Sequence, residues 1–141
     1  MSKYSKTLLH VAAFAALSLG CGMAQTDEQL KAAIPFDFMA GKTKLPAGEY
    51  TVTSTFGSHV LQIRDSEQRV QATVLAIVKS ERANPSESYL TFRVHGTRHY
   101  LAATWDGASG AGRELIKTAA EREAEMADAR PTTQITLFAR K

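Results

Sequence analysis

Along most of the chain, apolar and polar residues alternate one by one, the period of a strand with one face buried. Residues 26–31 are polar and read as a lead-in. From Ala32 onward, Ile34, Phe36 and Phe38 alternate with Pro35 and Asp37, and Tyr50 and Val52 alternate with threonines. Residues 60–64 form a short strand candidate. Residues 69–78, RVQATVLAIV, are apolar enough for a central strand buried on both faces. In residues 88–94 the pattern puts Leu90, Phe92 and Val94 on one face, and in 99–105 it does the same for Leu101, Ala103 and Trp105. Residues 134–139, QITLFA, close the series.

One segment has helical character. Thr118-Ala119-Ala120-Glu121 has the form of a capping box, in which the Thr hydroxyl accepts from the Glu121 amide and the Glu carboxylate reaches back. Good helix formers follow as far as Arg130-Pro131, where proline ends the run. Apart from alanines, Met126 is the apolar residue of this stretch, so a partly exposed helix is expected. The fold class predicted is all-β: a single antiparallel sandwich or barrel of about seven strands, with one short helix at about 118–129 before the last strand.

The stretch FDFMAGKTKLPAGEYTV, residues 36–52, is dense in chain-bending residues. Gly41 supplies freedom to turn. Leu45-Pro46-Ala47-Gly48 reads as a tight turn with Pro second and Gly48 at positive φ. Tyr50 and Val52 then open a core-facing strand. Lys42 and Lys44 read as solvated turn residues.

The N-terminus departs from the strand pattern. Lys3 and Lys6 precede a mostly apolar run from Leu8 to Leu19, and Gly22-Met23-Ala24 follows, the layout of a cleaved secretory signal. The run is shorter than the roughly 20 residues of a membrane-spanning helix. The domains predicted are therefore a signal peptide at 1–24 and one β-rich domain at 25–141, exported to the periplasm or outside the cell, with no transmembrane anchor in the mature chain. The alternative is a lipoprotein anchored through Cys21, since LSLGC resembles a lipobox; Leu19, however, sits one step later than that motif prefers. Cleavage after Ala24 removes the chain's single cysteine, and with it any disulfide or thiolate metal site.

Composition and charge narrow the partners. The chain carries 17 Lys and Arg against 14 Asp and Glu, but without residues 1–24 the basic count falls to 15. A near-neutral surface gives no support to nucleic-acid binding.

The F-x-F-x-x-G-x-x-x-L-P-A-G-x-Y-x-V pattern of 36–52 resembles a group of small exported proteins of unassigned function, frequent in Acidobacteria. In that group a Gly-Arg-Glu-Leu segment precedes a charged helix and a final strand. Here Gly112-Arg113-Glu114-Leu115 is followed by Glu121-Arg122-Glu123 and then QITLFA. The Pro-Ala-Gly-x-Tyr step is also similar to one in prealbumin-like sandwich modules of secreted proteins. The resemblance implies export and a β fold and transfers no site.

Candidate chemistry is sparse. GASGAGRE, 107–114, has glycines spaced as in a phosphate loop, but Arg113 and Glu114 stand where Lys and Ser or Thr are required, so it reads as a flexible loop. No Gly-x-Ser-x-Gly elbow occurs, and Ser58 and His59 point to opposite faces if extended. Pairs of carboxylates leave a glycosidase-type arrangement formally open. His95 and His99 invite a metal reading. A two-residue Gly96-Thr97 turn instead pairs His95 with Arg98, Val94 with His99 and Phe92 with Leu101, which puts the two histidines on opposite faces. Trp105, next to Asp106, is the main surface candidate, able to stack on a sugar or peptide; the alternation assigns it to the core. No catalytic, cofactor-binding or metal residue is assigned. The function expected is that of an exported non-catalytic β-domain, a structural or binding module of the cell envelope. The alternatives are a carrier holding a small apolar ligand in a barrel cavity, which small inward residues such as Ala72, Ala76 and Ala103 could open, and a carboxylate-based hydrolase.

Overall fold

The computed structural model describes residues 27–55, 58–79 and 86–141. The expected signal segment, Cys21 and most of residues 82–88, RANPSES, whose composition reads as a polar loop, lie outside them. Among the described residues there are ten strands: β1 Asp27–Ile34, β2 Phe38–Ala40, β3 Thr43–Leu45, β4 Gly48–Thr55, β5 Val60–Arg64, β6 Val70–Lys79, β7 Ser88–His95, β8 Arg98–Asp106, β9 Ala111–Leu115 and β10 Thr133–Ala139. One helix, α1 Ala119–Ala127, precedes the last strand. The fold is all-β with a single helix, as the pattern implies, but with ten strands instead of about seven.

The pairing runs β1-β4-β5-β6-β9-β8, and β8 also pairs β7, which pairs β10. All these ladders are antiparallel, whereas β2 pairs β8 in parallel, which makes the sheet mixed and not the purely antiparallel one expected. Strand β6 is shared, its first half bonded to β5 and its second half to β9. The open sheet folds over at this strand, so that Leu30, Val52, Leu61 and Ile63 meet Leu90, Phe92, Leu101 and Leu115 in one core. At the far side β1 and β10 touch through a single bridge, Lys31 with Arg140. The β2–β3 hairpin sends Phe38 and Leu45 into the same core, where Phe38 meets Tyr50 and Phe92 edge to face.

Several local expectations change. The supposed lead-in is strand β1, with alternating burial from Asp27. Its inward face includes Glu28, whose polarity hid the period. Gly48 is the first residue of β4, opposite Ile34, and does not have positive φ. The chain instead turns at Pro46-Ala47, where Asp37 Oδ1 accepts from the Ala47 amide at 3.1 Å and the Tyr50 hydroxyl donates to the Pro46 carbonyl at 2.7 Å. The left-handed positions are Gly41, Gly96, Gly110 and Gln68. Gly41 opens the two-residue turn between β2 and β3, and a Cβ there would lie 2.9 Å from Val74 Cγ1.

Strand β6 is not buried on both faces. Ala72, Val74 and Ala76 face inward, whereas Leu75 and Ile77 are 64% and 52% exposed. An apolar run cannot tell which of its faces the rest of the chain will cover. Residues 111–114, expected as part of the 107–114 loop, belong to strand β9, and the turn is confined to 107–110.

Candidate functional site

The decisive local event is a bulge in β8. The turn at Gly96, φ +63, sets the predicted register: His95 pairs Arg98, Val94 pairs His99 and Phe92 pairs Leu101. The next pair is Thr91 with Ala103, so Ala102 is an extra residue. A bulge exchanges the two faces of everything beyond it. Leu101 therefore points into the core, while Ala103 and Trp105 point outward and Thr104 and Asp106 inward. Simple alternation had put Trp105 with Leu101.

Trp105 is nonetheless only 6% exposed. It is absent from the core cluster and packs on the outer face. Its ring lies over the backbone of Gly112, the facing residue of β9, where a Cβ would come 2.5 Å from Cε3. Tyr89, its partner on β7, stacks at 6.4 Å between centroids and 20° between planes. The indole Nε1 is buried and has no hydrogen-bond partner. A groove of about 250 Å³ opens here, between Trp105 and Tyr89 at one end and Arg93 and Gln134 at the other, with Thr91 and Ala103 on its floor. Lys79 and Glu114, joined as an ion pair, stand at its side. Sequence reasoning singled out Trp105 but missed the rest. Tyr89, Thr91 and Arg93 alternate with the core residues Leu90 and Phe92, a signal visible in the sequence once the outer face is read as well as the inner.

The two faces also separate the histidines. His99 stacks on Phe36 at 4.0 Å, on the core side. His95 is buried on the other face, with Nε2 3.5 Å from Glu121 Oε1 of α1. Glu121 does not complete a capping box. Its amide donates to Thr118 Oγ1 at 3.2 Å, but its carboxylate receives Arg93 at 2.6 and 3.3 Å. Buried Arg93 outcompetes the helix's own amide for that charge. Among the described residues no group of three His, Cys, Asp or Glu side chains converges as a metal site.

Between the layers, Glu28 holds Arg113 and Ser54, and Asp106 accepts from the Ala108 amide at 2.9 Å and lies 3.0 Å from Lys141 Nζ. Burial pushes the Asp106 carboxyl up, but Lys141 and the Ala108 amide outweigh it and hold the pKa below the usual carboxylate value. The two carboxylates line a void of about 10 Å³, too small for a substrate. Arg113, read from sequence as a loop residue, is the cation inside this pair. Ser58 and His59 make separate local bonds: Ser58 Oγ accepts from the Val60 amide, and His59 Nδ1 lies 3.3 Å from the Ala76 carbonyl. No helix among the described residues is long and apolar enough to cross a membrane.

Comparison with family models, curated proteins and solved structures yields no match for this chain.

Proposed function

We propose that this chain is an exported, non-catalytic β-domain that acts as a binding module at the cell envelope, through the outer-face groove at Trp105. The observation that carries the reading is the groove of about 250 Å³ itself, walled by Trp105 and Tyr89 and edged by polar Gln134 and Glu114. A concave site that combines aromatic walls with a few convergent polar groups is the usual form of a small-ligand site. The signal-like N-terminus, with Lys3, Lys6 and Gly22-Met23-Ala24, supports export. The buried carboxylates support a non-catalytic role, since Glu28 and Asp106 are each paired with a cation around a void of about 10 Å³.

The test is co-sedimentation of the purified chain with isolated insoluble envelope material. Wild type is expected in the pellet. Thr91→Trp, which fills the groove floor, is expected in the supernatant with an unchanged melting temperature. Equal partition of the two proteins would remove the groove from the function.

A further inference from the structure

We infer that the groove takes a neutral saccharide. This rests on the binding-module reading and specifies its ligand. Three features of the groove and its surroundings select the chemistry.

The first is charge. The cations beside the groove are already matched: Lys79 with Glu114, Arg93 with Glu121 at 2.6 Å, and Arg113 with Glu28. A phosphate or carboxylate ligand would have to displace a carboxylate that is in place, and the buried Glu121 and Glu28 have no water to return to. The ligand that fits is uncharged.

The second is the polar set. Gln134 and Glu114 line the groove with planar groups that accept from hydroxyls, and the Gln134 amide also donates. A ligand with several hydroxyls donates to both and accepts from Gln134, whereas a purely apolar ligand would cover these groups without replacing their water.

The third is the aromatic row, which continues past the groove. Phe138 of β10, just outside it, faces Tyr89 of β7, which faces Trp105 of β8. Residues facing one another across strands lie about 4.8 Å apart, so the row spans ~10 Å. Trp105 is nearly buried, whereas Tyr89 is half-buried and Phe138 is 70% exposed. Aromatic faces of this kind receive flat apolar surfaces, and the C–H face of a pyranose is one whose rim is all hydroxyl. A row three strands wide suits a short run of linked sugar rings better than a single ring.

Trp105 is the chain's only tryptophan, so its emission reports this groove alone. The experiment titrates the intact protein with soluble oligomers of β-linked glucose and of β-linked N-acetylglucosamine, and in parallel with an uncharged tetrapeptide and with myristate, followed by fluorescence and calorimetry. The expected result is a saturable emission change with one or both sugar series. By calorimetry Tyr89→Ala, which removes the half-exposed aromatic face, is expected to weaken binding about threefold to tenfold. Thr91→Trp should abolish it, with both variants melting near wild type. Conversely, an emission change with peptide or myristate and none with sugars overturns the saccharide assignment while leaving the groove as a binding site. Sugar binding untouched by Thr91→Trp places the sugar elsewhere and overturns it too. Silence of every probe, together with envelope co-sedimentation that ignores Thr91→Trp, overturns the binding-module reading as well.

Discussion

A glycine matters here where its backbone or its missing Cβ is used, which separates two glycines only seven positions apart. Gly41 sits at φ +61 with Val74 Cγ1 2.9 Å from where a Cβ would stand. Gly48 is ordinary extended backbone in β4, and a Cβ there would meet Tyr50 at 3.6 Å, normal contact. Gly41→Val is therefore expected to destabilise by about 2 kcal/mol or more, from left-handed strain in a β-branched residue and from crowding of Val74. Gly48→Val should change stability by no more than about 0.5 kcal/mol, since β-branched residues suit strands. Denaturant midpoints of the two variants check the ranking, and a larger loss at Gly48 would contradict the described turn. Gly112 is a third case, kept bare so that Trp105 can lie on its backbone.

Helix α1 shows an element held in place by a charge more than by an apolar stripe. Glu121 is its one buried residue, and Met126 is 79% exposed. Besides the contacts of Glu121 with Arg93 and His95, Lys117 binds Glu125 at 2.8 Å and the Gly96 amide donates to Asp128 at 2.7 Å. Removing one partner of a buried ion pair leaves the other uncompensated. Glu121→Ala is expected to cost about 3 kcal/mol in urea unfolding, or else to release the helix so that amides of 119–127 lose exchange protection. Met126→Ala should stay within about 0.5 kcal/mol of wild type. If Met126→Ala were the more damaging of the two, an apolar contact would hold the helix after all.

At the scale of the whole molecule, carboxylates couple stability to acid. Asp106 is held below its ordinary pKa by Lys141 and the Ala108 amide against the opposing effect of burial. Asp65 and Asp128 are also lowered, first by backbone amides of Arg69 and of Gly96 respectively. A carboxylate with a depressed folded-state pKa contributes stability above its unfolded value, and that contribution is lost as pH falls through the folded one. Melting temperature is thus expected to hold near neutrality and to fall below pH ~4. Asp106→Asn should lower it at neutral pH and make the acid decline shallower. Parallel decline in wild type and variant would show that Asp106 does not contribute to it.

The strand-rich class, the Thr118 cap, the Gly96 turn with its register and the inward set Phe38, Tyr50, Val52, Leu90, Phe92 and Leu101 are legible in the amino-acid order. They follow from local rules: alternation, capping and two-residue turns depend on neighbours in the chain. What distant residues do to one another came from the folded arrangement. The bulge at Ala102 exchanged the faces of β8 and carried Trp105 from the expected core to the outer groove. Glu28 could sit inward in β1 because Arg113, 85 residues later, neutralises it. Glu121 left its own helix cap because Arg93 was buried beneath it. In each case a polar or bulky side chain was placed by a partner remote in sequence, and local alternation carries no information about that partner.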